Sequence, residues 1–241
     1  MPLSGDFMKV VILAAGMGKR LGLGIPKPLV KIYGDKTILD HQLYSLRKIV
    51  DFSDILLVIG YKGELIQRKY PFLSYVYNCD YKETNTAKSL LIGLESLESE
   101  GDDVLWLNGD VVFDPEIMSL IEKNKGENLV AVNIDENVGS EEVKYTLTPD
   151  GYIKEISKNV QNPLGEAVGI NQVNKESLPI LIESLRECQD QDYFEKGIEK
   201  SIRKGVKFKP LCIGDKFCVE VDFKEDLQKV REWAKKYYEG Q

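Results

Sequence analysis

Residues 9–21 read Lys9-Val10-Val11-Ile12-Leu13-Ala14-Ala15-Gly16-Met17-Gly18-Lys19-Arg20-Leu21. The first six form a near-continuous aliphatic, largely β-branched run, the pattern of a strand buried on both faces in a parallel sheet. Two glycines directly after such a strand let the backbone turn sharply and bring its N–H groups against a ligand. In open α/β sheets, ligands collect at the carboxyl ends of the strands. One stretch thus predicts both a fold class and the place to look for a site.

The flanking sequence repeats the alternation. Thr37 is placed to cap a helix in which Ile38, Leu39, Leu43, Leu46 and Ile49 recur at helical spacing. Residues 55–59 (ILLVI) read as a second buried strand, 63–69 as a short helix, 73–77 as a strand and 86–97 as a helix. Residues 104–107 follow as a strand, and Pro115 opens another helix. Strand–helix alternation requires crossover connections and predicts a mainly parallel sheet. The second half differs. Residues 143–147 and 152–156 flank Thr148-Pro149-Asp150-Gly151, a turn sequence, and predict an antiparallel hairpin. Strands are expected over 167–173, 206–212 and 216–221, and helices over 175–185, 193–204 and 224–237. Without a low-complexity linker or an internal repeat, one α/β domain with a mixed sheet over residues 1–241 is the simplest account.

The chain has 241 residues, and 32 Lys+Arg against 39 Asp+Glu give a net charge of −7. A chain of this length buries roughly 70–75% of the surface it exposes when unfolded. Hydrophobic residues at 43% and charged residues at 29% exclude a disordered chain. The acidic balance argues against a general nucleic-acid or anionic-membrane binder. It leaves room for a small anionic ligand held by a few local cations. Cys79, Cys188, Cys212 and Cys218 form no C-x-x-C pair, and the lone His41 has no ligand-spaced neighbour. Reduced thiols in a reducing compartment are therefore expected, not a zinc site or a disulfide frame. No apolar core of a signal peptide surrounds Asp6 and Lys9, and the longest apolar runs are too short to span a bilayer. A cytoplasmic location without membrane insertion is the expectation.

The glycine loop matches neither common phosphate-binding pattern. Leu21 stands where the third glycine of G-x-G-x-x-G belongs, and Leu13 where the first glycine of a Walker A loop belongs. An NAD(P)-dependent oxidoreductase fails at Leu21. Arg20 offers a planar fork to phosphate oxygens and Lys27 a point charge, the latter stiffened by Pro26 and Pro28. Together with Lys19 they suit an oligophosphate. Asp110 follows the strand at 104–107, where a carboxylate points into the ligand crevice. Glu220 and Asp222 lie two apart on a late strand and so share one face, which leaves open which of them joins Asp110.

The L-A-A-G-x-G-x-R stretch followed by Pro26-Lys27 resembles the signature of nucleotidyltransferases of the nucleoside-diphosphate-sugar pyrophosphorylase type. That resemblance implies a Rossmann-like, glycosyltransferase A-type three-layer α/β sandwich with a mixed, mainly parallel sheet and a small antiparallel hairpin. It implies nucleotide binding by Leu13, Ala14, Ala15, Gly16, Met17, Gly18 and Lys19, a grip on the β,γ-phosphates by Arg20, and transition-state stabilisation by Lys27. Asn108-Gly109-Asp110 resembles the family's metal element and Val221-Asp222 its late acidic element, so Asp110 and Asp222 are the implied Mg2+ ligands. Tyr77-Asn78…Tyr81 and Asn85-Thr86…Ser89-Leu90 look like the cytidylyltransferases that make CDP-inositol or CDP-choline. On that likeness Asn78, Asn85, Thr86 and Ser89 contact the nucleotide. Glu166, Lys158 and Gly169 contact the acceptor, with Asn171 a weaker candidate.

The resemblance divides the chain into a nucleotide-binding half over about 8–135, an acceptor half over about 136–223 and a C-terminal helix over 224–241. It implies a Mg2+-dependent cytidylyltransferase acting on CTP and a phosphorylated alcohol, inositol-1-phosphate foremost. Phosphocholine, or a sugar-1-phosphate with UTP or dTTP, are the alternatives, and a non-catalytic nucleotide-binding subunit is the alternative of another class. A homodimer is left open.

Overall fold

In the computed structural model the apolar run becomes β1 (Met8–Ala14), wholly buried except at Lys9. The structure describes residues 8–97, 101–134 and 139–240. The segment around Asp6, on which the reading of the N-terminus rested, and the expected division at 135/136 lie outside the described residues. After β1 come a small antiparallel pair, β2 (Lys31–Tyr33) and β3 (Lys36–Thr37), and then α1 (Ile38–Leu46). Thr37 caps α1 as expected: its hydroxyl accepts from the Asp40 N–H, and the Asp40 carboxylate accepts from the Thr37 N–H. The chain continues through β4 (Ile55–Ile59), α2 (Gly63–Lys69), β5 (Ser74–Tyr77), α3 (Thr86–Ser96), β6 (Asp103–Asn108), β7 (Val111–Phe113) and α4 (Glu116–Lys123). It is completed by β8 (Leu129–Ile134), β9 (Lys144–Leu147), β10 (Ile153–Ser157), β11 (Gly165–Val173), α5 (Leu178–Arg186) and α6 (Phe194–Arg203). Last come β12 (Lys209–Cys212), β13 (Cys218–Glu220) and α7 (Lys224–Glu239).

The main sheet runs β10-β9-β11-β6-β1-β4-β5, with β8 beside β11 and β12 beside β8. Strands β6, β1, β4 and β5 are parallel, and their register places Leu13 opposite both Val58 and Asn108. β11 then enters antiparallel to β6 and to β8, and the predicted hairpin β9–β10 follows at the edge. Alternation along β1 fills both faces. Val10, Ile12 and Ala14 pack with Leu39, Leu43, Ile66 and Ile117 on one side. Val11 and Leu13 pack with Leu90, Leu94, Leu181 and Ile198 on the other. A sheet covered on both faces by helices is the expected three-layer sandwich. A third apolar cluster, including Leu21, Val112, Val221, Leu227 and Val230, seats α7 against the glycine-loop side.

Three features depart from the sequence expectations. The late strands are shorter, because residues 206–208 and 216–217 precede their ladders with β8 and β7. β8 was not anticipated, although its Leu-Val-Ala-Val run is buried between β11 and β12. The strands β2, β3 and β7, of two or three residues each, were not anticipated, being too brief for a period-2 signal. His41 is a buried structural residue, its Nδ1 paired with the Tyr238 hydroxyl at 2.8 Å and its Nε2 with the Phe113 carbonyl at 2.7 Å. All four cysteines are free thiols.

Candidate active site

The carboxyl ends of β1, β4 and β6 are drawn together around the glycine loop by backbone bonds. The Gly109 N–H donates to the Leu13 carbonyl at 2.9 Å, and the Tyr61 N–H donates to the Ala15 carbonyl at 3.0 Å. Gly109 is required here for close approach, since a Cβ would stand 2.6 Å from the Leu13 oxygen. After the loop, Lys27-Pro28-Leu29 forms a single 3-10 turn held by a bond from the Leu29 N–H to the Pro26 carbonyl. This rigid turn aims Lys27 back over the strand ends. Its Nζ donates to Asp110 Oδ2 at 2.6 Å and to Asp222 Oδ1 at 2.5 Å. Burial alone would lower the ammonium's pKa; the two carboxylates override that and raise it, so Lys27 stays charged.

Asp110 follows β6 directly, as its motif predicted. Asp222 is brought to it from more than 100 residues away, because the Val221 N–H donates to the Asp110 carbonyl at 3.1 Å just beyond β13. That turn also separates the two late acids, which the shared-face reading could not do. The chain leaves its ladder after Glu220, so Asp222 faces Lys27 while Glu220 turns inward and accepts from Asn108 Nδ2 at 2.8 Å. Gly169, at φ +71°, makes room for this second pair, since a Cβ there would run into the Glu220 carboxylate and lie 2.9 Å from Asn108 Nδ2. Arg20 is more exposed. Its guanidinium lies 3.7 Å from Asp222 and 3.3 Å from Glu141, and stands over the Phe223 ring at 5.5 Å.

Two clefts meet at Leu13, Gly16, Arg20, Asp110 and Asp222. The first, of about 380 Å³, is lined by Leu13, Ala14, Gly16, Met17, Gly18 and Lys19, together with Lys27 and Asn85. The second, of about 500 Å³, takes in Thr86, Lys158 and Glu166 from the sequence predictions. Ala15 lies beneath the loop, 4% exposed, as a backbone anchor. Asn78 and Ser89 line neither cleft. Asn78 Nδ2 donates to Ser89 Oγ and Thr84 Oγ1, both at 3.0 Å, so these residues build the β5–α3 connection. Asn171 is likewise buried, on β11. Gly169 supports Glu220 from behind the second cleft.

Sequence reading missed much of the second cleft: Glu141, Tyr193, Glu195 and Phe223. Tyr193-Phe194-Glu195 carries no motif and reads as the first turn of an amphipathic helix, which it also is. Lys158 Nζ sits 4.9 Å above the Tyr193 ring and 3.4 Å from Glu141. Burial pushes the Glu220 carboxyl up to about 8, and nearby Asp110 adds to this while the Asn108 bond opposes it. Burial likewise raises Glu195 to about 7, partly offset by Lys158. Burial, and then Glu220 and Glu166, hold the Cys218 thiol well above its usual range. Among the described residues no three His, Cys, Asp or Glu side chains meet at a metal position. Asp110 and Asp222 are the two carboxylates that could share a divalent cation.

Residues 10–162 match the model of the MobA-like NTP transferase domain. A CMP-5'-(3-aminopropyl)phosphonate synthase of Streptomyces rubellomurinus is 36% identical over 120 residues, 46% of this chain and 18% of that protein. A bifunctional protein GlmU of Methanococcus maripaludis is 30% identical over 173 residues, 69% of this chain and 38% of that protein. The chain thus spans well under half the length of these relatives. Among solved structures, the inositol-1-phosphate CTP transferase from T. maritima superposes with a TM-score of 0.78 at 22% identity, covering 99% of both chains. The CTP:phosphocholine cytidylyltransferase from Streptococcus pneumoniae gives 0.77 at 18% identity, covering 94% of this chain and 99% of that one. The fold is that Rossmann-like nucleotidyltransferase architecture, and among the described residues no helix is long and apolar enough to cross a membrane. With residues 10–162 matched and the loop, cations and carboxylates converging at the sheet's carboxyl edge, the chain belongs to the MobA-like NTP transferase domain family.

Proposed function

We propose that this chain is a cytidylyltransferase that joins CTP to a small phosphorylated alcohol, releasing pyrophosphate, with inositol-1-phosphate the first acceptor to test. The observation that carries the reading is the meeting of the two clefts at Arg20, Asp110 and Asp222, with Lys27 of the first cleft bound to both carboxylates. The first cleft, lined by loop backbone and cations, suits a triphosphate. The second suits an acceptor whose phosphate reaches the same point. An acceptor phosphate oxygen attacks the α-phosphorus of CTP in line, the new O–P bond forms, and the bond to the leaving pyrophosphate breaks. Lys27 offsets charge developing on the α-phosphoryl group, and Arg20 offsets charge on the pyrophosphate. Such chemistry is positioning and electrostatics, which is what a rigid lysine on a proline-flanked turn provides.

The donor set fits magnesium. Asp110 and Asp222 present hard oxygens to one point, now shared through Lys27, and Mg2+ takes one or two carboxylates plus substrate phosphates. Bound there, Mg2+ would neutralise charge on the phosphates. Inositol-1-phosphate leads because Glu166 in the second cleft can accept hydrogen bonds from a polyol. Phosphocholine is a second reading, favoured by the Tyr193 and Phe223 rings lining that cleft. The proposed setting is the cytoplasm.

A matrix of the four NTPs against inositol-1-phosphate, phosphocholine and glucose-1-phosphate, read as magnesium-dependent pyrophosphate release, tests the reading. CTP with inositol-1-phosphate is expected to turn over fastest. Faster turnover of UTP or dTTP with glucose-1-phosphate would overturn it.

A further inference from the structure

The second cleft contains a buried carboxylate that neither the glycine-loop chemistry nor the metal set uses. Glu195 lies in the first turn of α6, 7% exposed, and lines the cleft floor. One of its oxygens is held by its own backbone N–H. The other, Oε2, has no hydrogen-bond partner. A buried carboxylate oxygen without a donor is costly, and buried polar groups in folded proteins are as a rule paired. The nearest cation, Lys158, is engaged with Glu141 and the Tyr193 ring. Glu195 therefore lines the cleft while one of its oxygens is buried without a donor from the protein.

We propose that Glu195 is an acceptor-specificity residue, whose free oxygen accepts a hydrogen bond from an O–H or N–H group at the end of the acceptor remote from its phosphate. The inference rests on the cytidylyltransferase reading and deepens it. A polyol phosphate and an aminoalkyl phosphate both carry such a donor. A quaternary ammonium offers charge but no such donor, so phosphocholine leaves the Glu195 oxygen without a hydrogen bond. A site built to receive a donor rejects analogues that lack it, because its own polar group is stranded. This separates the acceptors where the overall fold does not.

The test uses the full chain with CTP and three acceptors: inositol-1-phosphate, phosphoethanolamine and phosphocholine. The last two differ only in N-methylation. Measured at about pH 8, most of Glu195 is ionised and acts only as an acceptor. Wild type is expected to favour at least one donor-bearing acceptor over phosphocholine by about tenfold or more in kcat/KM. Which of the two it favours identifies the donor as hydroxyl or amine. Glu195→Leu should raise the KM for that acceptor by a similar factor, about tenfold, and leave the KM for CTP unchanged. Glu195→Gln, nearly isosteric and able to accept through its amide oxygen, should retain most binding of a hydroxyl acceptor and lose most binding of an amine. An unchanged acceptor KM in a folded Glu195→Leu, or wild-type preference for phosphocholine, overturns this inference and leaves the cytidylyltransferase reading standing. No turnover with any of the three acceptors overturns the reading and the inference together.

Discussion

The two clefts share Asp110 and Asp222 but are built in opposite ways. Most of the first comes from one strand end and the loop after it, with its cation fixed by a three-residue turn and locked between two carboxylates. The second is assembled from separate strands and helices, and on its floor lie two acids that burial has pushed well above the usual carboxylate range. In the first, Lys27 is paired with both carboxylates; in the second, Glu195 and Glu220 are desolvated, and one oxygen of Glu195 has no hydrogen-bond partner. In the proposed reaction this contrast would divide the labour, the local motif holding the triphosphate and the tertiary contacts choosing the acceptor.

The largest expected effect exposes the second cleft. Glu195 and Glu220 hold protons in the folded chain, at about 7 and about 8, that the unfolded chain releases near its ordinary value. Between about pH 4.5 and pH 8 the folded state then binds more protons than the unfolded state, so these groups make stability fall as pH rises. A shift of this size in two groups corresponds to a few kcal/mol across the window, as an order of magnitude. Urea unfolding at about pH 5.5 and 8.5 should show that loss in wild type and a much smaller one in the Glu195→Gln, Glu220→Gln double variant. Identical pH dependence in both proteins would remove the contrast between the clefts.

Next in size is the break in the first cleft. Lys27→Ala should lower turnover by ~10²–10³ with little change in the KM for the acceptor. Turnover near wild type in a folded variant would take Lys27 out of the reaction. The smallest effect sharpens the boundary. Gly169→Ala places a methyl at φ +71° against the Glu220 carboxylate and should cost about 1–3 kcal/mol of stability. It should also raise the acceptor KM while sparing that for CTP. Equal effects on both would mean that Glu220 and Gly169 do not belong to the acceptor side alone.

The elements legible in the sequence were those carrying their own local signal. Thr37 announces a helix start because a cap acts within four residues, and the structure completes it with Asp40. Asp110 could be singled out because it sits just past the buried strand β6, and Arg20 and Lys27 because they lie in the loop and turn that leave β1, where a parallel sheet faces the ligand crevice. The strands β2, β3 and β7 were invisible, since two or three residues cannot display a period, whereas β13 was expected within a longer strand over 216–221. Asn78 and Asn85 look alike in sequence, yet one is buried against Ser89 and the other caps α3 in the first cleft.

What the sequence determined by itself is the α/β sandwich and the glycine loop at the end of its first strand, with Lys27 and Asp110 in the segments that leave β1 and β6. Each strand, helix and loop among these shows its own pattern within a short stretch of chain. The tertiary structure decided which of Glu220 and Asp222 meets Lys27, and that Glu195 lines a cleft with one oxygen left without a donor. Burial and pairing of a charge are set by what the rest of the chain places around it. For these residues the neighbours come from strands and helices far away in sequence.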